Sequence, residues 1–560
     1  MTMQKHCSEC HQPFTIDEVD VAFYEKISPL FGEERFSIPT PNSCPACRLQ
    51  RRLSYRNQIY VYSQLSALSA KPIFSMFAKT VPFPVIENDL WWGDSWDALQ
   101  YGRDFNPQRS LFEQLCALRD LVPHYALSAF QLENSDYCNN AGRLRNCYLV
   151  FNSTDAQDCS YCENTFSSVD CIDCTRCPES QLCYTCVECP RCYNLQDSEF
   201  CEDCVDSYFL SNCRSCRNCF GCVNLRHQEY CIDNQRYSAA QYAEQISRLA
   251  LNSSRQRTLL RQKLRYQAER QPVPHLVQRL TENVRGNFLF ECRNIRDSYF
   301  VRKAENLRYC FNLDAGVKDS YDYSFFGRQC ELLYQCVDCG LDSYALLFCF
   351  GCWQSCSNLL YCVRCTGCEH CFACVGLKKK RYCILNRQYT REEYERLAGV
   401  IIKQMQHTGE WGEYFPASFS PIPYNHSIAQ RYFPLTKEAV EQRGLVWLEH
   451  DCSDVAGALD PSQIPDILPT SDASLVLKSE LSGRPFRVTS REMATYRRFG
   501  APLPRRTYDE RMEERAVRLG GIHLYPRNSA HSGKEMLTTY SPTSTQVVWE
   551  QGEYESQVGG

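Results

Sequence analysis

Residues 201–231 read CEDCVDSYFLSNCRSCRNCFGCVNLRHQEYC, and every cysteine in the stretch falls at a position divisible by three. The phase reaches back to Cys138, with cysteines at 138, 147, 159, 162, 171, 174, 177, 183, 186, 189, 192, 201, 204, 213, 216, 219, 222 and 231. Agreement of that extent has odds of about one in 10^8 if the phases are random. The remaining places in the phase hold residues such as Ser135, Ala141, Leu144, Val150, Ser153 and Ala156, while the other two phases carry Asp, Glu, Arg, Asn, Tyr and Phe. One residue in three therefore points inward.

A helix, with a period of about 3.6, and a strand, with a period of about 2, both fail to produce that spacing. A tight coil with one inward residue per side does. A second period of twelve lies on top: Cys147, Cys159, Cys171 and Cys183 form one column, Cys162, Cys174 and Cys186 another, and Cys189, Cys201 and Cys213 a third. Four inward residues per turn predict a narrow β-solenoid whose turns stack about 4.8 Å apart, giving a first array of roughly eight turns and about 38 Å.

A second array follows in shifting phase. Leu289, Cys292, Ile295, Ser298, Val301, Ala304, Leu307, Cys310 and Leu313 keep one phase. Cys330, Leu333, Cys336 and Cys339 take another, Cys349 and Cys352 return to the first, and Cys356 to Cys383 hold the third. Each slip predicts a bulge at a coil corner. The arrays end alike: CFGCVNLRHQEYCIDNQRYSAAQY from Cys219 matches CFACVGLKKKRYCILNRQYTREEY from Cys371, and Asp206-Ser-Tyr-Phe209 echoes Asp297-Ser-Tyr-Phe300. Ser238 to Gln241 and Thr390 to Glu393 are capping boxes, so each array runs into a helix expected to cover the unpaired groups of the last rung.

At the other end, Cys7-Ser-Glu-Cys10 and Cys44-Pro-Ala-Cys47 form two CxxC knuckles. Four thiolates on two tight turns are the soft, tetrahedral set that structural zinc takes, so Cys7, Cys10, Cys44 and Cys47 are the predicted metal ligands and zinc the predicted cofactor. A closed shell of four thiolates leaves no place for a reacting water. A short helix between the knuckles is expected to bury Ile16, Val19, Phe23 and Ile27.

The sequence is 560 residues with 61 Lys+Arg against 66 Asp+Glu, a formal net charge of -5, 38 cysteines and a mean hydropathy of -0.44. No apolar leader and no long apolar run is visible, so the expected address is cytoplasmic, with no membrane association and with cysteines as thiols or metal thiolates. The densest clusters, 213–222 and 362–374, are where further metal would sit, although packing thiols in a narrow bore are the preferred reading. Two basic segments, Arg48–Arg56 and Arg248–Arg270, are the candidate nucleic-acid contacts; the alternative is a pair of solvated helical faces.

The segments are a zinc ribbon (1–62), an aromatic and helical collar (63–134), the first Cys-rich solenoid (135–237), a helical insert (238–282) and the second solenoid (283–389). A capping helix (390–404), a Pro-rich linker (405–477) and a ribbon-like tail (478–560) complete the chain. The collar, rich in tryptophan at Trp91, Trp92 and Trp96, is expected to shield the first turn of the first array. The tail repeats the start: Pro485 to Phe499 follows Pro13 to Ile27, and Arg511 to Tyr525 follows Arg48 to Tyr62. Ser479, Ser482, Thr507 and Glu510 stand at the four cysteine positions, so this copy is expected to bind no zinc. Residues from about 541 are expected to be loosely ordered.

Cys44-Pro-Ala-Cys47-Arg48, the Trp91–Phe105 segment, Asn218–Leu225 and Tyr230–Tyr237 together resemble a cysteine-rich zinc-ribbon and repeat family of candidate-phyla bacteria. The resemblance covers nearly the whole chain and implies its architecture; in that family the C-terminal ribbon usually keeps its cysteines. Some members carry a CaiB/BaiF label, which implies CoA transfer, but no Rossmann-type half or fitting glycine-rich loop is present here. The coil is also geometrically similar to the twelve-residue coil of a beetle antifreeze protein, without the threonine column that binds ice. No catalytic constellation emerges. The expected function is a non-enzymatic zinc-binding scaffold presenting its solenoids to a protein partner; a multi-thiolate metal store or redox buffer and a nucleic-acid binder are the alternatives.

Overall fold

The computed structural model describes residues 2–165, 168–169, 196–314, 316–328, 330–450 and 455–558. Cys171, Cys174, Cys177, Cys183, Cys186, Cys189 and Cys192, and with them part of the predicted columns and the turn count of the first array, lie outside the described residues. The chain divides into two units. One comprises residues 1–57, 61–127 and 276–448, and the other residues 58–60, 128–275 and 449–560. Each contains one solenoid.

Among the described residues of the first array, rungs pair in parallel with the position twelve residues on, as in Asp136 with Tyr148, Glu199 with Ser211 and Phe220 with Ile232. The Asp136 N–H donates to the Cys147 carbonyl and the Leu149 N–H to the Asp136 carbonyl, both at 3.1 Å. The described inward cysteines from Cys138 to Cys231 are at most 2% exposed. What turns the chain inward at every third residue is its backbone: from Asn134 to Asn164 the residue before each inward position is left-handed, with φ between 47° and 59°. Left-handed backbone costs an L-residue roughly 1–2 kcal/mol, least for Asn and Asp. Asn134, Asn140, Asn146, Asn152, Asp155, Asp158 and Asn164 occupy such positions. Stacked at one corner, these amides also bond along the axis, Asn134 to Asn146 at 2.8 Å and Asn146 to Asp158 at 3.1 Å.

The same geometry explains why the bore holds cysteine and serine instead of alanine throughout. Ser207 Oγ donates to the Val205 carbonyl at 2.8 Å and accepts the Cys219 N–H of the next rung at 3.0 Å. A thiol does both jobs: Cys147 donates to the carbonyls of Arg145 and Ala156, each at 3.4 Å, and accepts the N–H of Cys159. Where serine or cysteine stands inward in this way, the buried amide of the next rung finds a partner. Asp206–Phe209 and Asp297–Phe300 are the same corner, with Ser298 donating to Arg296 at 3.0 Å and accepting the Cys310 N–H at 3.0 Å.

The second array starts with twelve-residue turns, Tyr299 pairing with Phe311, and passes to thirteen, with Ala304 against Val317, Phe311 against Ser324 and Tyr344 against Ser357. Twelve returns at Ser357 with Glu369. Each longer turn steps four residues between inward positions, from Leu313 to Val317, Cys339 to Ser343 and Cys352 to Cys356. Two consecutive left-handed residues make the last two of these corners, Leu341 with Asp342 and Gln354 with Ser355. The phase slips are therefore corner insertions.

Both arrays end in the predicted helices, Ala239–Ser247 behind the Ser238 capping box and Arg391–Thr408 behind that of Thr390. The last rung is closed by a side chain as well. Asn234 Oδ1 accepts the Val223 N–H and its Nδ2 donates to the Val223 carbonyl, both at 2.9 Å; Asn386 does the same to Val375 at 2.8 Å. The asparagine closure adds to the helix a pair of bonds that the expectation did not include.

Three further expectations are corrected. The tryptophan collar lies against the late turns of the second array: Lys378 Nζ sits 5.5 Å from the Trp91 ring and 5.0 Å from the Trp96 ring, and Trp92 packs edge-on to Trp353 at 6.2 Å. Those cation–π and edge-to-face contacts favour it over the sequence-adjacent first turn. Val19 is exposed, and Tyr24 takes the buried place instead. Residues 541–558 hold regular structure, with Val547–Trp549 pairing in parallel with Pro272–Pro274 and a helix at Gln551–Gln557.

Ser207→Ala leaves the Cys219 amide buried without its acceptor, which costs about 1–3 kcal/mol. Hydrogen exchange at the Cys219 amide is expected to accelerate in Ser207→Ala and to remain near the native rate in Ser207→Cys.

Candidate metal centre

Residues Met3–His6 and Pro13–Ile16 form an antiparallel hairpin. Its turn holds Cys7 and Cys10: the Cys7 N–H bonds to Gln12 O at 2.9 Å, the His11 N–H bonds to Cys7 O at 3.0 Å, and His11 is left-handed at φ 60°. The second knuckle is a helix start. Cys44 is the N-cap of the Pro45–Leu53 helix, Pro45 fits the first helical turn, and Cys47 sits at its third position. Cys7 Sγ accepts the N–H groups of Glu9 at 3.4 Å and Cys44 at 3.2 Å, and Cys44 Sγ accepts that of Cys47 at 3.5 Å.

The four sulfurs lie within 4.8 Å of one another, Cys10 and Cys44 at 3.7 Å. Among the described residues this is the group of three or more Cys, His, Asp or Glu able to hold a metal ion. Hydrogen bonds from the Cys47 thiol, from the helix N–H of Cys47, and from Cys10 and Cys7 bring the Cys44 thiol down to about 5, against burial. The hydrogen bond shared with Cys44, together with burial, raises Cys47 in turn. The Cys44 thiol is thus held below its ordinary value at the helix N-terminus, where the N–H groups favour negative charge.

The helix carrying Cys44 and Cys47 is anchored through its arginines. Arg48 Nε donates to Asp322 at 3.0 Å and Arg52 Nη1 to the same carboxylate at 2.8 Å. Arg52 also reaches Ser324 at 3.1 Å and the Tyr309 carbonyl at 3.0 Å, and Arg56 pairs with Asp338 while lying 4.0 Å from the Phe325 ring centroid. Asp322 and Arg52 are wholly buried and Arg48 is 1% exposed. Phe23 stacks on Tyr321 at 3.7 Å, and Arg308 holds Asp17 and Asp20 on the neighbouring helix. The reading of Arg48–Arg56 as a solvated basic face is thus corrected: its arginines are the ribbon's grip on the second array.

The Arg248–Arg270 segment is likewise engaged. On the Ser254–Ala268 helix, Arg257 and Arg261 both bond Asp197 at 2.6 Å, Lys263 bonds Asp233 at 2.5 Å and Arg265 bonds Glu514 at 3.0 Å. Local sequence showed only Glu269 opposing these charges; the true counter-ions come from elsewhere in the same unit. No helix among the described residues is long and apolar enough to cross a membrane.

Replacing Asp322 by Asn strands two buried guanidiniums, a loss of about 3–5 kcal/mol for a broken buried pair. Denaturant unfolding followed by tryptophan fluorescence is expected to show the corresponding fall. Comparison of the chain with family models, with curated proteins and with solved structures finds no match.

Proposed function

We propose that the protein is a non-enzymatic zinc-binding scaffold, in which one structural zinc locks the N-terminal ribbon and the solenoids offer their outer columns to a protein partner. The observation that carries this reading is the four-thiol cluster with its anchored helix. A tetrahedron with Zn–S bonds of about 2.3 Å has edges of about 3.8 Å, and the 3.7 Å between Cys10 and Cys44 is close to that value. Four thiolates complete the shell, so the ion would stabilise the fold and activate no water.

The solenoid interiors support the non-enzymatic part. Their thiols are sealed and occupied in holding backbone groups, which suits packing better than storage or exchange. Part of the outer surface is polar, charged and exposed: Glu282 and Arg293, with side chains 78% and 60% exposed, and Lys318, at 59%, are examples on the second array. A cytosolic location agrees with thiols kept free.

Metal analysis by mass spectrometry on protein purified under reducing conditions is expected to give about one zinc per chain, lost in Cys47→Ser. Many equivalents of zinc or copper would replace this reading with a metal store. Salt-sensitive binding of RNA or DNA at low ionic strength would favour the nucleic-acid alternative.

A further inference from the structure

The hairpin-and-helix geometry around Cys7 and Cys44 recurs at three other places, with no cysteine at any of them. Hairpins form at Tyr62–Leu65 with Pro72–Ser75, at Leu475–Lys478 with Pro485–Val488, and at Tyr525–Asn528 with Glu535–Thr538. Ser66 and Ser69, Ser479 and Ser482, and Ser529 and Ser532 occupy their turns in the places of Cys7 and Cys10. A helix follows each hairpin, capped by Glu87, Thr507 and Glu550 respectively, where the first has Cys44.

The backbone agrees bond by bond. The turn closes through Cys7 N–H to Gln12 O at 2.9 Å, and equally through Ser66 to Lys71 at 2.8 Å, Ser479 to Arg484 at 2.9 Å and Ser529 to Lys534 at 2.8 Å. The fifth residue of each turn is left-handed: His11, Ala70, Gly483 and Gly533 have φ of 60°, 57°, 71° and 77°. The turn is tied to the segment before the helix by one bond in each case: Ser8 to Asn42 at 3.0 Å, and Ala67 to Val85, Glu480 to Arg505 and Ala530 to Val548 at 2.9 Å. No regular hairpin dictates that last bond.

Where the first site gathers four sulfurs, the others gather two hydroxyls on one carboxylate. Ser66 and Ser69 both donate to Glu87, Ser479 and Ser482 to Glu510, and Ser529 and Ser532 to Glu553. Glu87 is at the N-cap, the place of Cys44; Glu510 and Glu553 are at the third helical position, the place of Cys47. Burial pushes the Glu510 carboxyl up, but the two serines, the Thr507 N–H and the Arg484 charge leave it below its ordinary value, so it acts as an anion. Charge-assisted bonds of this kind are among the stronger hydrogen bonds.

We propose that the chain carries four copies of one ribbon, at residues 3–53, 62–92, 475–518 and 525–557, and that in the last three a serine–serine–glutamate clasp joins turn to helix in place of a metal ion. Each copy also uses one helical position, four residues after the cap, to reach its solenoid. Arg48 bonds Asp322. Trp91 carries Lys378 over its ring and on its carbonyl, Arg511 lies 4.6 Å from the Tyr161 ring centroid, and the Tyr554 hydroxyl receives Asn212 and Arg226. The third copy shows in the sequence through Pro485–Phe499 and Arg511–Tyr525; the second and fourth become visible through the shared bonds.

The inference goes beyond the zinc scaffold and is tested on the full chain. The variant Ser479→Cys, Ser482→Cys, Thr507→Cys, Glu510→Cys is expected to bind one more zinc than the wild type. A folded variant with an unchanged zinc count overturns the proposal. The comparison is a difference, so a wild type without zinc and a variant with one would sink the proposed function while upholding the four ribbons. Glu553→Gln supplies a reading that does not depend on folding of the four-cysteine variant: amide exchange at Ala530 and Gly533 is expected to rise about tenfold, the effect of weakening bonds to a charged acceptor. Unchanged exchange at both amides overturns the clasp.

Discussion

A bore one side chain wide, reached by a left-handed residue at every third position, is the constraint on which the rest of this molecule depends. It is filled by Cys, Ser and Ala with Leu, Val and Ile at some places, and turns backbone N–H groups toward the axis. Those groups must be met, because an unpaired buried amide costs about as much as the contacts around it return. Cysteine and serine meet them from within the bore, which is why the thiols are numerous and why they are distributed with serine in single columns. Asn and Asp on the preceding positions lower the cost of the left-handed backbone and add an outer ladder of amides. Composition, corner conformation and hydrogen bonding are three aspects of one requirement.

The ribbons solve a different problem. A small hairpin and a short helix have little core of their own, and side chains gathered at the turn and the helix start bring the two together. In the N-terminal unit the helix bearing Cys44 and Cys47 also sends Arg48, Arg52 and Arg56 into the array, so the candidate metal site and the anchor share one element. The buried carboxylate of Asp322 serves two guanidiniums at once, with Ser324 and the Tyr309 carbonyl satisfying the remaining donors. In the other unit Arg511 and Tyr554 occupy the corresponding surfaces. The contact residue changes between arginine, tryptophan and tyrosine, while its place on the helix does not.

Much of the solenoid was legible in advance, because a period of three with a period of twelve leaves few shapes for a chain to adopt. The phase slips were visible too, as shifts among Cys339, Cys349 and Cys356. That Cys7, Cys10, Cys44 and Cys47 come together as a group able to hold a metal ion could be read from two CxxC spacings. What could not be read was pairing across distance. Arg52 and Asp322 stand 270 residues apart, so the basic run after Cys47 looked like a surface. The collar was assigned to its neighbour in sequence, when Trp353 and Lys378 of the later array hold it. Ser66, Ser69 and Glu87 are common residues in common spacing, and their role depends on a turn that composition does not announce.

The amides of Asn234 and Asn386 carry a consequence for how the molecule lives among its own copies. A stack of parallel rungs is a template: its last rung displays donors and acceptors in the register that another coil, or any extended strand, would need to continue it into a fibre. Each asparagine answers a donor and an acceptor of that rung with the two ends of its own side chain, and the chain then turns away into a helix. A single amide thus copies, at Val223 and at Val375, the pair of bonds that the next turn would have made.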